Sequence, residues 1–296
     1  MIYVIVVIIM IGLINQYRKN ISGQGVSFDD LEFAYSFTKR VETATKCLRI
    51  RRDNDNAETD LLLEATGEVD INSTVSAGGT LSAWIGINNG FMVTDYDQTG
   101  AHDFTQGINS RQAKIVNAGS WLGYKEYDGI NDYYLTNTQW TSQIGSVYIK
   151  TGNTNNNTRY FLNQALPSGV NDTKMISLAT LFGAGNKARI LDFTPTINTV
   201  FSTSTLLSGT RIITYRNGLT NKKTIRVDGS NESISFSGTH TDNWFGDYVD
   251  TGFTMQKGRL LWSSGSNIGA SYREHELLGF NIEHNDVESS AIEALM

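Results

Sequence analysis

The stretch FMVTDYDQTGAHDF, residues 91–104, brings two aspartates, a tyrosine and a histidine within a few residues of one another. Asp95 and Asp97 occupy alternate positions of a strand, and alternate positions share one face of a sheet. Two carboxylates on one face could form the acid/base pair of a retaining glycosidase, which needs carboxyl groups roughly 5 Å apart with different pKa values. Together with His102, they could instead contact a sugar or a cation.

The same residues have a simpler structural explanation, which we favour. Asp97 opens a turn that ends at Gly100, where an aspartate side chain commonly accepts hydrogen bonds from backbone NH groups two residues on. Asp95 is then a polar position of the strand, or it pairs with arginines of the preceding strand, and His102 is exposed. We therefore predict no catalytic residue here and keep Asp95, Asp97 and His102 as candidate carbohydrate contacts.

A second candidate site lies in the polar stretch THTDNWFGDYVD, residues 239–250. Trp244 and Phe245 are the best candidates for exposed aromatic rings, which could stack on the apolar faces of sugars. Oxygen-rich side chains beside them could bind Ca²⁺, although no EF-hand spacing is present. The candidate metal ligands are Asp242, Asp247 and Asp250. No other cofactor is indicated.

Composition excludes several classes of function. The 296 residues carry a net charge of -6, whereas nucleic-acid-binding proteins usually present a basic face, so we expect no nucleic-acid partner. Cys47 is the single cysteine, which rules out an internal disulfide and suits folding in a reducing cytoplasm. The four histidines are scattered, so no Cys/His metal cluster is predicted.

The first twenty residues, MIYVIVVIIMIGLINQYRKN, are the most apolar part of the chain. The apolar run, residues 2–14, is shorter than the roughly 17–25 residues of a membrane-spanning helix, and it lacks the basic region and cleavage site of a secretory signal. Burial against a partner chain, or against the same segment in a symmetric oligomer, is the favoured explanation, and a marginal signal-anchor is the alternative. Residues 21–25 look like a hinge, so we divide the chain into residues 1–25 and 26–296.

The remaining chain shows strand-like patterns with turn signals about every ten residues. Many short strands without crossover helices predict an all-β fold, an antiparallel two-sheet sandwich. The dipeptides Asn217-Gly218 and Asp228-Gly229 are strong turn signals.

Two helices are predicted at the ends of this sandwich. Ser27 and Asp30 have the spacing of a capping box before a short helix through Tyr35. At the C-terminus, Asn285 is a candidate N-cap with Glu288 three residues on. The apolar face of this short terminal helix would comprise Val287, Ala291 and Leu295.

Residues 34–61 and 90–100 resemble the opening of the catalytic domain of arabinofuranosidase B, and related openings occur in phage fibre and tail proteins. Tyr96, Asp97, Gln98 and Gly100 match the YDQSG turn of that group, with Thr99 in place of serine. Residues 124–136, 214–229 and 275–295 are similar to motifs of laminin-G-like, concanavalin A-like proteins. This resemblance implies a jelly-roll sandwich, and one fold hosts many functions.

The resemblance also implies where an arabinofuranosidase would carry its nucleophilic glutamate, well after the YDQSG turn. The corresponding residues 139–164 contain no carboxylate and no cysteine. Glu58, in an NAE triplet, lies too early in the chain to be that residue. The nucleophile of the arabinofuranosidases therefore cannot be assigned to a residue of this chain.

These observations favour a non-enzymatic bacteriophage virion protein: a head fibre, a tail fibre or a capsid-decorating subunit, made in the host cytoplasm. Residues 2–14 would contact other virion proteins or sister chains, with a homo-oligomer expected and a trimer favoured. The sandwich could attach to a host glycan. The alternatives are a glycoside hydrolase of arabinofuranosidase type and a membrane-anchored bacterial surface lectin.

Overall fold

The computed structural model describes the chain from residue 28 onward, with several internal gaps. The described residues are 28–64, 67–152, 159–165, 174–181, 187–194, 196–203, 209–219, 223–238, 241–261, 267–269 and 271–296. The expectations for the hinge and for residues 2–14 concern positions outside these ranges.

The described chain consists mostly of β-strands in antiparallel pairs, and the predicted all-β class is confirmed. The first strands are β1 (Leu31–Ser36), β2 (Lys46–Arg52), β3 (Glu58–Leu62), β4 (Gly90–Asp95), β5 (Phe104–Thr105), β6 (Lys114–Asn117), β7 (Ser120–Asp128), β8 (Tyr134–Leu135), β9 (Gly145–Gly152) and β10 (Arg159–Ala165). They are followed by β11 (Met175–Leu181), β12 (Lys187–Thr194), β13 (Thr196–Ser202), β14 (Thr210–Asn217), β15 (Thr224–Val227), β16 (Ser230–Asn231), β17 (Ile234–Ser237), β18 (Thr254–Lys257), β19 (Arg259–Leu261), β20 (Asn267–Gly269) and β21 (Ser271–Phe280).

The strand pairs form two layers. One layer runs β1-β21-β9-β14-β15-β16. The other runs β3-β2-β4-β5-β8-β18-β10-β11-β12-β13-β17. Strands β6 and β7 join the layers by pairing with β4 and β21 respectively, while β19 and β20 form a separate hairpin.

The core lies between the two layers and is built by alternate residues of their strands. Leu48 and Ile50 of β2 are fully buried, whereas Arg49 between them faces outward and donates to Asp60 at 2.8 Å. From the other layer, the Tyr215 hydroxyl of β14 donates to the Ala179 carbonyl oxygen of β11 at 2.8 Å. Such contacts hold the layers face to face, as expected for a sandwich.

The two predicted turn dipeptides behave differently. Asp228 and Gly229 have φ values of 48° and 83° and form the two-residue turn between β15 and β16, as the preference of type I′ turns for such pairs predicts. Asn217-Gly218 is not a two-residue hairpin turn, since β14 ends at Asn217 and β15 begins only at Thr224.

The helix predicted after Ser27 is wrong. Residues 31–36 form β1, which pairs with β21. Phe33 and Tyr35 point into the main core, and Ala34 points to a second apolar cluster on the other side of the strand. A strand that is buried on both faces reads as a continuous apolar run, which periodicity alone does not separate from a helix.

Two α-helices are present in the described residues, α1 (Leu81–Ile85) and α2 (Asp286–Glu293). Neither is long and apolar enough to cross a membrane. Two 3-10 turns, Asn109–Arg111 and Phe245–Tyr248, complete the helical structure of this part of the chain.

The capping box of α2 is confirmed. The Asn285 side chain accepts from the backbone N–H groups of Val287 at 2.9 Å and Glu288 at 3.0 Å, and the Glu288 carboxylate accepts from the Asn285 N–H at 2.8 Å. The predicted apolar face is wrong at Val287, which is 69% exposed, whereas Ala291 does pack against the second apolar cluster. The helix instead buries Ile292 against the outer face of the β1/β21 layer, beside Phe280.

Removing the cap of α2 should destabilise the protein. We expect Asn285→Ala to lower the free energy of unfolding by about 1 kcal/mol, because two helix N–H groups lose their acceptor. Urea denaturation measures this change. Val287→Ala, at an exposed side chain two residues after the cap, is the control and should stay within about 0.5 kcal/mol of the wild type. Equal effects of the two substitutions would contradict this assignment of the cap.

Candidate functional site

Asp97 is a structural residue, as the favoured prediction held. One carboxylate oxygen accepts from the N–H groups of Ala34 at 2.9 Å and Thr99 at 3.0 Å. The other accepts from the N–H groups of Ala101 at 3.2 Å and His102 at 3.1 Å. Since Ala34 belongs to β1, the side chain ties the turn to the neighbouring strand. Asp97 is 4% exposed, so it does not present a carboxylate to a ligand.

Gln98, which belongs to the same motif, also ties the turn to the chain at the end of β1. Its amide nitrogen donates to the carbonyl oxygens of Ser36 at 3.1 Å and Thr38 at 2.9 Å. Its amide oxygen accepts from the N–H groups of Arg40 at 2.6 Å and Val41 at 3.1 Å. The YDQTG motif therefore fixes the chain that follows β1.

His102 is buried, contrary to the expectation that it is exposed after the turn. Only 5% of the residue is accessible to solvent. Its imidazole nitrogens lie 2.7 Å from the Thr138 hydroxyl and 2.8 Å from the Glu32 carboxylate, and the hydrogen bond to His102 lowers the pKa of Glu32. The imidazole is inward because Asp97 holds its backbone N–H.

Asp95 does not pair with arginines. It lies in the core, where its carboxylate accepts from the Lys125 ammonium at 2.7 Å and from the Lys257 ammonium. Both lysines also donate to Glu274, at 2.8 Å and 3.0 Å respectively. We call these four residues the buried charge quartet. Each of the four side chains is at most 1% exposed.

The quartet is balanced in charge, with two carboxylates and two ammonium groups. Burial by itself raises the pKa of the Glu274 carboxyl, but the two lysines outweigh burial and lower the pKa to about 2. Burial likewise opposes the charged form of Lys125, but Asp95 and Glu274 outweigh it and raise the pKa of that ammonium. A proton-transfer pair needs pKa values that are driven apart around the working pH. Glu274 is ionised at neutral pH and is inaccessible to solvent. The four residues are therefore arranged to stabilise the fold and not to transfer protons to a substrate.

Aromatic rings surround the quartet and complete its seal. The Lys257 ammonium lies 4.6 Å from the centre of the Tyr35 ring and 5.0 Å from that of Phe104. The Lys125 ammonium lies 5.8 Å from the centre of the Phe37 ring. Cations within about 6 Å of an aromatic face gain from the ring quadrupole, most strongly when water is excluded.

Trp244 and Phe245 are buried, so the expectation of exposed aromatic rings in this loop is corrected. Both residues have 0% exposure. The 3-10 turn that follows Trp244 folds them inward, and their rings lie 5.8 Å and 4.7 Å from that of Trp140. The Asp247 carboxylate holds this turn by accepting from the Trp244 N–H at 2.8 Å. The Gln164 amide donates to the Phe245 carbonyl oxygen at 2.8 Å.

The three aspartates of this loop do not converge on one point. Asp242 and Asp247 line a common cleft, whereas Asp250 is absent from that lining and lies 4.0 Å from Lys174. Among the described residues, no group of three or more His, Cys, Asp or Glu is arranged to hold a metal ion. The predicted calcium site therefore lacks its third aspartate.

Three surface clefts are formed by described residues. The first has a volume of about 570 Å³ and is lined by Phe91, Lys114, Glu126, Asp128 and Asp132 among others. Burial raises the pKa of Asp132 to about 7; the hydrogen bond from the Asp128 N–H opposes this rise, and the charges of Asp128 and Glu126 add to it.

The other two clefts lie beside β14. One, of about 670 Å³, is lined by residues that include Arg216, Asn231, Glu283 and Asp286. The other, of about 160 Å³, is the cleft that holds Asp242 and Asp247.

Sequence comparison finds no relatives. No family profile matches the chain, and no curated protein matches it. Solved structures do match. A GH54 α-L-arabinofuranosidase variant soaked with 4-nitrophenyl α-L-arabinofuranoside is 14% identical with a TM-score of 0.61, covering 89% of this chain and 62% of that chain. An arabinofuranosidase complexed with arabinofuranosyl-α-1,2-xylobiose is 14% identical with a TM-score of 0.59, covering 88% and 61%.

The chain shares the fold of these arabinofuranosidases. It spans about three-fifths of their length, and at 14% identity the likeness concerns the fold alone. The Ruminococcus gnavus IT-sialidase CBM40 bound to α2,3-sialyllactose is also similar, at 14% identity and a TM-score of 0.42, covering 52% of this chain and 84% of that chain. The arabinofuranosidase part of the resemblance is thus supported as a fold, and its phage part stays a prediction.

Sequence reasoning found Asp95 but missed its three partners in the quartet. Lys125, Lys257 and Glu274 lie 30, 162 and 179 positions away along the chain. The one local signal was a lone lysine between tyrosines in YKEYDG, where Lys125 faces the core next to Tyr127. Nothing in the sequence connects that lysine to the other three positions.

Neutralising one carboxylate of the quartet should destabilise the protein in a pH-dependent way. Glu274→Gln leaves a buried ammonium without a counter-charge, so we expect a loss of about 3 kcal/mol at pH 7. The folded pKa of Glu274 is depressed, so its stabilisation is present above the unfolded value and is lost as pH falls towards 2. The difference between wild type and variant should therefore shrink from pH 5 to pH 3. Urea denaturation across this range tests it.

The matched control for this experiment is Glu58→Gln, which neutralises an exposed carboxylate. Its effect should be small at every pH. A Glu274→Gln effect that is equally small, or that does not change between pH 5 and pH 3, would contradict the assigned charge state.

Proposed function

We propose that this protein is a non-enzymatic, glycan-binding β-sandwich of a bacteriophage particle: a head fibre, a tail fibre or a capsid-decorating subunit. The observation that carries the non-enzymatic part is the buried charge quartet. The candidate carboxylate Asp95 is neutralised by two lysines and sealed in the core. A glycosidase needs both carboxylates open to the substrate.

The fold supports the glycan-binding part of the proposal. The similar structures were solved with an arabinofuranoside or an arabinofuranosyl oligosaccharide. The clefts beside β14 are lined by carboxylates and amides, which are the groups that hydrogen-bond hydroxyls. A surface that binds glycans without cleaving them needs hydrogen-bonding groups but no pair of catalytic carboxyl groups.

The virion part of the proposal rests on the sequence. The apolar run of residues 2–14 would aggregate if it stood alone in water, so we propose that it contacts other virion proteins or sister chains. The opening motifs that resemble phage fibre and tail proteins point in the same direction. A homo-oligomer, with a trimer favoured, would bury the run in a symmetric bundle.

A glycoside hydrolase is the second candidate function, and one cleft favours it. Asp132 and Glu126 line the same cleft of about 570 Å³. The pKa of Asp132 is raised to about 7, which is near the working pH of a general acid, but this residue is only 4% exposed, whereas Glu126 is partly exposed. Two carboxyl groups in different environments are the starting point for acid/base chemistry.

The virion role can be tested on purified particles. We expect mass spectrometry of gradient-purified virions to contain this chain in a fixed ratio to the major capsid protein. Recovery of the chain only from the host membrane fraction, in a detergent-dependent form, would contradict the virion role and favour the membrane-anchored lectin.

The choice between binder and hydrolase can be tested with the purified protein. We expect retention of neutral glycans on an array and no release of sugar from arabinan or aryl-arabinofuranosides. Asp132→Asn and the neighbouring Asp128→Asn serve as a matched pair of variants. Hydrolysis that Asp132→Asn abolishes and Asp128→Asn preserves would overturn the non-enzymatic proposal in favour of the second candidate.

A further inference from the structure

The buried charge quartet holds an amine against a carboxyl group where water is excluded. The Lys257 ammonium contacts the Asp95 carboxylate, and both side chains are at most 1% exposed. An amine and a carboxyl group become an amide when the nitrogen attacks the carboxyl carbon and one water molecule leaves. Groups that a structure holds in contact react with effective concentrations of about 10⁵–10⁸ M. The contact therefore suits a condensation as well as an ion pair.

The strands divide the quartet into two pairs. Lys125 and Glu274 are cross-strand partners in β7 and β21, and their charged groups lie 2.8 Å apart. Asp95 and Lys257 come from β4 and β18, which are separated in their layer by β5 and β8, so their contact is made by side chains across two intervening strands. Because Lys125 and Glu274 balance each other, Asp95 and Lys257 can lose their charges together without leaving an unbalanced ion in the core.

The surroundings of the second pair favour the uncharged, reactive forms of an amine and an acid. Exclusion of water disfavours an ammonium and a carboxylate alike. The centres of the Tyr35 and Phe104 rings lie 4.6 Å and 5.0 Å from the Lys257 nitrogen and keep water from it. Transfer of one proton from Lys257 to Asp95 makes both groups neutral. The lysine nitrogen then has a free electron pair, as in enzymes that activate a lysine by desolvation.

The other two members of the quartet are placed to assist this reaction. One carboxylate oxygen of Glu274 lies 3.0 Å from the Lys257 nitrogen, within reach of its proton. The other oxygen accepts from the Tyr272 hydroxyl at 3.3 Å, which orients the carboxylate. The Lys125 ammonium lies 2.7 Å from an Asp95 carboxylate oxygen, where a positive charge stabilises an oxyanion. All four side chains thus have a role in a single condensation.

We propose that Lys257 and Asp95 form an intramolecular isopeptide bond, with Glu274 as the proton shuttle. A proton passes from the Lys257 ammonium to the Asp95 carboxylate. The Nζ electron pair then attacks Cγ and forms the C–N bond, while one electron pair of the carbonyl double bond moves onto oxygen. Glu274 takes a proton from Nζ and gives it to the Asp95 hydroxyl. The carbonyl re-forms as the C–O bond breaks and water leaves with that electron pair.

The reaction balances without a further reactant. One ammonium and one carboxylate become one amide and one water molecule, and nothing is oxidised or reduced. Lys125 and Glu274 remain as a balanced ion pair. The bond closes a loop between positions 162 residues apart, and a cross-link of this kind removes conformations from the unfolded chain. It keeps β4 and β18 joined even when the strands between them separate.

Intact-mass spectrometry of the denatured full chain tests the proposal. We expect the wild type to be lighter than its sequence by the mass of one water molecule, and a tryptic digest to contain one branched peptide that joins Asp95 to Lys257. Lys257→Arg keeps the positive charge but replaces the amine by a guanidinium, which does not attack carboxyl groups. Glu274→Gln keeps both reacting groups and removes the shuttle. Both variants should have the full mass of their sequence.

The matched control is Lys174→Arg. Lys174 also lies near an aspartate, 4.0 Å from Asp250, but both side chains are more than half exposed. This variant should lose one water molecule like the wild type, and its branched peptide should be unchanged.

The outcomes that contradict the proposal are distinct. A wild type of full mass after long incubation at neutral pH would overturn it, and this result does not depend on whether any variant folds. Loss of water that persists in Lys257→Arg, or a branched peptide through Lys125, would overturn the assignment to Lys257. A Glu274→Gln chain that has the circular dichroism of the wild type and still loses one water molecule would overturn the role of Glu274.

Discussion

The rest of the structure depends on one arrangement of charges, the quartet of Asp95, Lys125, Lys257 and Glu274. Its members come from β4, β7, β18 and β21, so a single set of ion pairs joins both layers of the sandwich and the strand that connects them. Taking ions out of water costs several kcal/mol each, and the attraction between them repays this only when every charge has partners. Each lysine here contacts both carboxylates. The strands that carry them must therefore keep a common register.

The sealed quartet fits the proposal that this fold, which is shared with arabinofuranosidases, serves here to bind glycans without cleaving them. The two carboxylates, each paired with two lysines, stabilise the centre of the molecule and have no access to a substrate. Under the proposed function, recognition falls to the surface, where carboxylates and amides line the clefts beside β14. A rigid core with variable surface loops is a common way to build a binding protein.

The parts of the structure that depend on near neighbours in sequence were predictable. The Asp97 turn forms through an N–H two residues on, and the Asn285 capping box closes over three residues. The failures involve distant contacts. The pattern of β1 predicts a helix because Phe33 and Ala34 are buried on opposite faces by residues far along the chain, Phe33 against Trp140 and Ala34 in the cluster that contains Phe280. Trp244 and Phe245 were expected in solvent because polar letters surround them, whereas the Asp247 cap turns them onto Trp140.

A double-mutant cycle between Glu274 and Lys257 tests the central claim most directly. Each single substitution, Glu274→Gln or Lys257→Met, leaves a buried charge of the opposite sign without one of its partners. The double substitution removes one charge of each sign. Urea denaturation should show a double variant that is more stable than the sum of the single losses predicts, by about 1–3 kcal/mol, and that still binds glycans. Additive losses, or a folded double variant that has lost a hydrolytic activity of the wild type, would contradict the account of the quartet as a purely structural clamp.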